Sequence, residues 1–389
     1  MTRPVVLDVS SLFIGALDVA CLGLARGPLG QANTVRVKGG RVQVVKPAEV
    51  RTRLKGLDRA AAAAEARANE ILAWLLGAPT SRRFPIAPPW RAIDCPAVGS
   101  NWTNEAPSGS VVLKPGFSGW SDPAVATWFA ARPDLRAAAL LDHPVWLDSP
   151  QYYAPAEVAR LHQDLAAIAR WARVVVAPTE ATRIRLADAL GRPDLPIHVR
   201  PWPSRLAGSR PLPYAADLAA AHYWVAPLPV EAGRNTTLLL TVWRDMIHKG
   251  LDVPKLVLAG ARGRQIEQIR PLLDWSETLR PFVREAPYMS PTTLRLLAGG
   301  AQGVLLPAFN DETGALARDL AKLGARVVAS DIPVFREALA GQGKLLSPID
   351  GPGWRDLVST RLEPATCGDE ATLDWAAFRD GVGQCLANL

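Results

Sequence analysis

The sequence predicts an α/β protein built from two doubly wound parallel sheets. Three observations predict it. Short apolar runs of three to five residues alternate with longer helical stretches along the chain, the order of repeated strand–helix–strand units. One Pro/Gly/Ser-rich break, Pro201-Trp-Pro-Ser-Arg-Leu-Ala-Gly-Ser-Arg-Pro-Leu-Pro213, interrupts the alternation, and its composition is that of a linker. The length, 389 residues, is that of two ordinary domains.

Before the break, strands are predicted at Val5–Val9, Arg41–Val45, Arg91–Cys95, Val111–Lys114, Ala137–Leu141, Val174–Ala177 and Ile197–Arg200. Helices are predicted at the alanine-rich Ala48–Leu76, at Pro155–Trp171 and at Glu180–Leu190. After it, strands are predicted at Tyr223–Ala226, Lys255–Ala259, Phe282–Glu285, Val304–Leu306, Arg326–Ala329 and Lys344–Leu346. The helices between them are Thr236–Lys249, Arg264–Leu273, Pro291–Ala298 and Gly314–Leu323, with a last one at Leu373–Leu389. Ser290-Pro291 is a strong start signal: a side-chain cap, then proline where no N–H is needed. The predicted domains are residues 1–208 and 209–372.

Composition narrows the class. Apolar residues make 49% and charged residues 21% of the chain, values of a globular protein with a sizeable core. No apolar run reaches the length of a membrane span. Asp8 and Asp18 interrupt the apolar N-terminus, so VVLDVS reads as a buried strand and not as a signal peptide. Four scattered cysteines, Cys21, Cys95, Cys367 and Cys385, have no metal-type spacing and read as reduced thiols. The expected location is cytoplasmic. The net charge of +7 is uneven: residues 1–100 hold 14 Lys/Arg against 7 Asp/Glu, and the remainder is balanced. The excess is notable at Arg36, Lys38, Arg41, Lys46, Arg51, Arg53 and Lys55, and it predicts an acidic partner (an anionic membrane surface met peripherally, a diphospho-lipid or nucleic acid) or simply a solvated face. No nucleic-acid module is present in the pattern, and no nucleic-acid partner is expected.

The segment Val304–Glu337 carries the most chemistry. An apolar run ends in Pro307-Ala-Phe, a helix follows, and a second apolar run ends in Ser330-Asp-Ile-Pro333. Asp311 and Asp319 stand eight residues apart around Gly314. Ligands of such sheets sit at the carboxyl ends of the strands. A helix N-terminus there offers free N–H groups and a positive dipole to a phosphate. A carboxylate two turns along accepts hydrogen bonds from sugar hydroxyls. Phosphate and hydroxyls together describe a nucleotide-sugar.

These residues resemble the donor-site signature of the family-4 retaining glycosyltransferases, enzymes of the GT-B fold. The family pattern is Pro-Ser-x-x-Glu-Gly-x-Gly-Leu-Pro, a second Glu eight residues after the first, then Gly-x-Pro-Val-x-x-Ser-Asp. Pro307, Gly314, Gly324, Ser330, Asp331, Pro333 and Glu337 fit it, and Asp311 and Asp319 stand at the two glutamates. Gly314-Ala315-Leu316 departs from Gly-Leu-Pro. The resemblance is clearest from Tyr223 to Asp350. It implies two Rossmann-like domains facing a central cleft, with the C-terminal helix 373–389 crossing back to the first.

The resemblance also implies roles. Glu231-Ala-Gly-Arg-Asn235 occupies the place of an Arg-Lys-Asn, with Gly233-Arg234 in place of the two cations. Arg234 would take the diphosphate beside Asn235, and Arg262 would serve the phosphates or the base. The turn Pro287-Tyr288-Met289-Ser290 stands where backbone groups meet the nucleobase. Asp319 would hold the ribose and Asp311 the transferred sugar, with the N–H groups of Thr313, Gly314, Ala315 and Leu316 on the phosphate. An alternative role for Asp311 is that of a helix cap. Leu141-Asp-His-Pro-Val-Trp-Leu-Asp-Ser-Pro-Gln-Tyr-Tyr153 resembles a His-Asp segment of mannosyl- and rhamnosyltransferase-like relatives with the pair reversed, making Asp142 and His143 the acceptor-side candidates. Gly116-Phe-Ser-Gly-Trp120 resembles their Gly-His-x-Gly loop, with Phe117 at the histidine.

The expected function is therefore retaining transfer of a hexose or deoxyhexose from a GDP-, UDP- or dTDP-sugar to a carbohydrate or lipid-linked acceptor, in polysaccharide or glycan biosynthesis. No metal and no other cofactor is expected, since no Asp-x-Asp ends a strand. The departures from the pattern leave a second expectation: a degenerate GT-B homologue that binds a glycan or nucleotide, or acts as a scaffold, without turnover.

Overall fold

A computed structural model of the chain describes residues 4–8, 24, 33–38, 41–46, 48–55, 71–77, 106–204, 206, 218, 221–287, 289–362, 375–387 and 389. The chain divides into two compact units. Residues 1–58, 90–203 and 373–389 make the first, and residues 59–89 and 204–372 the second.

The first unit holds a seven-stranded sheet in the order β3-β2-β1-β4-β5-β6-β7. Its strands are β1 (Val5–Asp8), β2 (Asn33–Lys38), β3 (Arg41–Val44), β4 (Val111–Pro115), β5 (Arg136–Leu140), β6 (Ala172–Ala177) and β7 (Ile197–Val199). All neighbours are parallel except β2 and β3, which pair antiparallel at the edge. Alternate residues feed two cores. Val6, Val112, Ala137, Ala139 and Val175 face Trp128, Phe129, Leu165, Ile168 and Leu186 of the helices Pro123–Ala131, Pro155–Trp171 and Glu180–Leu190. Leu7, Leu113, Ala138, Leu140 and Val176 face Trp202 and, from the C-terminal helix Trp375–Leu386, Phe378, Val382 and Leu386. Burial on both faces explains why these strands read as unbroken apolar runs.

The second unit holds a six-stranded parallel sheet in the order β10-β9-β8-β11-β12-β13. Its strands are β8 (Tyr223–Ala226), β9 (Lys255–Leu258), β10 (Val283–Glu285), β11 (Gly303–Leu306), β12 (Val327–Ser330) and β13 (Lys344–Leu346). The chain starts at the centre with β8, winds outward to β10, then returns to β11 on the other side of β8. The strand order thus reverses between β8 and β11, the crevice where doubly wound sheets bind ligands. Tyr223, Val225, Val304 and Leu306 pack on one face with Leu294, Leu297, Leu320 and Phe335. Trp224, Leu256, Leu258 and Leu305 pack on the other with Trp243, Met246 and Trp354. Two of the buried indoles are anchored as well as packed: Trp243 Nε1 donates to Pro254 O at 2.7 Å, and Trp354 Nε1 to Ser347 O at 2.9 Å.

Several elements differ from expectation. The predicted helix 48–76 contributes to both units: Val50 packs in the first core, while Ile71, Trp74 and Leu75 pack in the second. Helix Arg264–Leu273 is only Arg270–Asp274. Gln265 has φ 52°, a left-handed residue that stops a helix there, and Pro271 restarts one at its first turn. The predicted strand Arg91–Cys95 lies outside the described residues. Arg36 and Arg53 of the basic first quarter are buried, each engaged within the protein, so the charge excess is not one exposed face. Cys385 is a buried free thiol. Among the described residues, no helix is long and apolar enough to cross a membrane.

Candidate functional site

The loop after β8 brings Arg234 to the switch point. Residues Ala232–Arg234 form one tight helical turn, and Asn235 then adopts φ 56° to start the helix Thr236–His248. Asn235 is buried, and its Nδ2 donates to Pro307 O at 3.1 Å and Pro348 O at 2.8 Å. It thereby ties this loop to those after β11 and β13. The backbone adds a further tie, Phe309 N to Gly233 O at 3.1 Å. Glycines allow the loops of β8 and β9 to lie against each other. A Cβ on Gly260 would stand 2.0 Å from Leu228 O.

Arg234 is buried, and its guanidinium is surrounded by acceptors. Nη1 donates to Asn310 O at 2.8 Å and to Asp311 Oδ2 at 3.3 Å. Nη2 donates to both oxygens of Glu312, at 2.6 and 2.5 Å. Glu231 Oε1 lies 3.4 Å from Nε. Burial opposes the charge, but Glu312, Asp311 and Glu231 outweigh it and hold the pKa above the ordinary arginine value. One cation therefore sits among three carboxylates.

Asp311 caps its own loop. Its Oδ1 accepts from Thr313 N at 3.0 Å and Gly314 N at 2.7 Å, while Thr313 Oγ1 accepts from Ala315 N at 3.1 Å. Three of the N–H groups expected to meet a phosphate are thus satisfied by side chains. Burial pushes the Asp311 carboxyl up, with Arg234 and these N–H groups pulling the other way. Gly314 has φ 64° and a Cβ there would lie 2.7 Å from Ala338 Cβ, so glycine is required at the start of helix Ala315–Lys322. Ala315 is buried and Leu316 packs against the core.

Asp319 faces inward on that helix and is fully buried. Its Oδ1 accepts from Arg318 Nε at 2.9 Å and its Oδ2 from Ser204 N at 3.2 Å. A ribose contact requires these partners to be exchanged. Arg262 lies in the loop after β9, where its Nε and Nη2 donate to Glu285 at 2.8 and 2.7 Å and its Nη2 to Asp274 at 2.5 Å. These bonds hold its charge firmly in place and its pKa above the usual value. Met289 packs against the core; Tyr288 lies outside the described residues. The structure therefore brings Arg234, Asn235, Asp311 and Gly314 together, with Arg262 and Asp319 in separate pairings.

In the first unit, Asp142 and His143 follow β5. Asp142 is half-buried and engaged within the protein. His143 Nε2 lies 2.8 Å from Asp148 Oδ2, and Nδ1 lies 3.4 Å from Thr182 Oγ1. Asp148 in turn accepts from Arg185 Nε at 2.6 Å. Phe117 sits edge-on to Trp146 with centroids 5.8 Å apart, a packing role. Sequence reasoning missed Glu231, Glu312, Asp148, Asp274 and Glu285 as partners. Only Glu312 left a signal: a second acidic residue where the family pattern has glycine. Among the described residues, no group of three or more His, Cys, Asp or Glu side chains is arranged to hold a metal ion.

No family model matches the sequence, and no curated protein matches it. Solved structures do match. Sucrose-phosphate synthase from Thermosynechococcus elongatus is 14% identical, with 98% of each chain covered and a TM-score of 0.58. The α,α-trehalose 6-phosphate synthase from Burkholderia multivorans is 10% identical, with 100% of this chain and 97% of that one covered and a TM-score of 0.54. Anabaena HepE, in complex with UDP, is 15% identical, with 72% and 79% covered and a TM-score of 0.52. Against TarM, a weaker likeness at TM-score 0.47 and 15% identity, 64% of this chain spans about half of that one, 47%. The likeness over the full length establishes the fold: this chain has the GT-B fold.

Proposed function

We propose that this protein is a glycosyltransferase that takes its sugar from a nucleotide-sugar. One observation carries the reading: a buried guanidinium, Arg234, stands at the switch point of a doubly wound sheet beside the start of helix Ala315–Lys322. That is where such sheets bind nucleotides. The planar fork of arginine matches two phosphate oxygens. In this reading Arg234 takes the diphosphate and offsets the charge on the leaving group, a role that makes the transfer metal-independent. The helix start around Thr313, Gly314, Ala315 and Leu316 adds its dipole, and Asp311 faces the transferred sugar. HepE, of the same fold, is a UDP complex.

The finer reading is retaining transfer of a hexose or deoxyhexose from a UDP-, GDP- or dTDP-sugar to a carbohydrate or lipid-linked acceptor in cytoplasmic polysaccharide assembly. Asp142 and His143 are the acceptor-side candidates, with Asp148 orienting the imidazole. A second reading, a nucleotide-binding homologue without turnover, is favoured by one observation: Arg234 and Arg262 already carry internal counter-ions.

The test titrates UDP, GDP, dTDP and CMP against the protein by thermal shift, since a ligand of the native state raises its stability. One nucleotide is expected to bind. Arg234→Ala should weaken the nucleoside diphosphate by about 10- to 100-fold and leave the nucleoside unchanged, the scale of a charge-assisted hydrogen bond. Equal losses for both ligands, or no binding by any nucleotide, refute the assignment. Binding without sugar release to any acceptor selects the second reading.

A further inference from the structure

We infer that Glu312 acts as a built-in competitor for the anionic ligand: its carboxylate occupies one edge of Arg234 and must leave before a phosphate can bind there. The inference rests on the phosphate role proposed for Arg234. Its support is the difference in freedom among the groups around that guanidinium.

Arg234 itself is fixed. Its side chain is 9% exposed, with Asn310 O on Nη1 and Glu231 beside Nε. Asp311 is fixed as well, because its Oδ1 is bound by the N–H groups of Thr313 and Gly314 and its side chain is 14% exposed. Glu312 is different. It grips Nη2 with both oxygens, yet its side chain is 38% exposed. A long side chain at that exposure has water to rotate into when its bond to Nη2 is exchanged. Nη2 is therefore the single edge of the fork whose partner is exchangeable.

The chemistry of the exchange is carboxylate for phosphate on one guanidinium edge. Both are anions that accept in the same plane from the same N–H groups. The two cannot share the edge, since like charges at hydrogen-bond spacing repel. Glu312 thus lowers the affinity for any anionic ligand by the strength of its own bond to Arg234. It also fills the edge when no ligand is present, sparing a buried cation from being unpaired.

The experiment compares the parent protein, Glu312→Gln and Glu312→Ala, with UDP, GDP, dTDP, their nucleosides and inorganic pyrophosphate as probes in calorimetric titrations. Removing the competing charge should tighten the nucleoside diphosphate and pyrophosphate by about 10- to 100-fold, the range of a hydrogen bond to a charged group. The nucleosides should not change. The gain should vanish in Glu312→Gln/Arg234→Ala, because it depends on the freed edge. A parent that binds a diphosphate, with both variants binding it about 10- to 100-fold more tightly, is the supporting result. A parent that binds a diphosphate, with both variants equal to it or weaker, overturns the inference and leaves the proposed function standing. If neither parent nor variants bind any diphosphate or pyrophosphate, the phosphate role of Arg234 falls, and the competitor role falls with it.

Discussion

Replacing Asp319 with alanine should destabilise the second unit before it affects any ligand. The carboxylate is fully buried and accepts from Ser204 N–H and from Arg318. Ser204 is itself buried. Without Asp319 its N–H keeps no acceptor at that position, which costs about 1–3 kcal/mol. The charged hydrogen bond from Arg318 contributes about 1.5–3 kcal/mol more. Taking about 4 kcal/mol, and about 2–4 °C per kcal/mol for a domain of this size, the transition should fall by about 8–16 °C. Asp319→Asn keeps an acceptor for Ser204 and loses only the charge, so it should fall by roughly half as much. Differential scanning calorimetry of the full chain reads both values without ligand. A transition for Asp319→Ala within about 2 °C of the parent would refute the reasoning, since it would mean the two contacts carry no stability. The carboxylate would then be held for a ligand, as the ribose role requires.

Two further outcomes are expected. Gly260→Ala places a Cβ 2.0 Å from Leu228 O and 2.8 Å from Pro229 N, backbone atoms that cannot rotate away; its urea midpoint should fall by the equivalent of about 1–3 kcal/mol, the usual range for overpacking, and an unchanged midpoint would contradict the close approach of the two loops. Asp134 is held well below the usual carboxylate range by hydrogen bonds from Arg132 and then from Gly109 N–H. A lowered folded pKa gives stability that is present above the unfolded value, about 3.9, and lost as pH falls through the folded one. Between about pH 5 and pH 3 the parent should therefore lose more stability than Asp134→Asn; equal losses in urea melts at the two pH values would sink the assignment.

The second sheet was legible because its central strands β8, β11 and β12 are buried on both faces. Tyr223–Ala226 and Lys344–Leu346 match the prediction residue for residue, as do the helices Pro155–Trp171 and Glu180–Leu190 of the first unit. Strand β2 was missed because buried Thr34 and Arg36 flank Val35, so no apolar run marks it; Thr34 Oγ1 is satisfied instead by Val45 O at 2.6 Å. The helix Pro123–Ala131 was missed despite a legible cap, Asp122 followed by proline. The helix Gly351–Ser359 begins Gly-Pro-Gly, which reads as a turn until the Asp350 cap is seen. The positions of Arg234 and Asp311 at strand ends followed from the strand–helix alternation. Their pairing did not, because it joins residues 77 apart. Periodicity reports which face an element buries, not which loop it meets.

The internal pairing separates the two candidate arginines by the kind of partner each has. A guanidinium removed from water needs counter-ions whether or not it serves a ligand. Arg262 obtains them from Glu285 at the end of β10 and from Asp274 at the end of its short helix, with side-chain exposures of 19% and 24%. Both acceptors belong to regular elements, and Arg262 is gripped along two edges, Nε–Nη2 by Glu285 and Nη1–Nη2 by Asp274. Displacing either would leave a carboxylate without its cation while the backbone that carries it stays in place. Arg234 has a loop carboxylate, Glu312, on one edge, and that carboxylate has water to move into. An anion arriving at Arg262 must take apart a framework. An anion arriving at Arg234 exchanges one exposed side chain for itself. On that physical ground the phosphate role proposed above suits Arg234 better than Arg262, whose pairs tie Glu285 to Asp274.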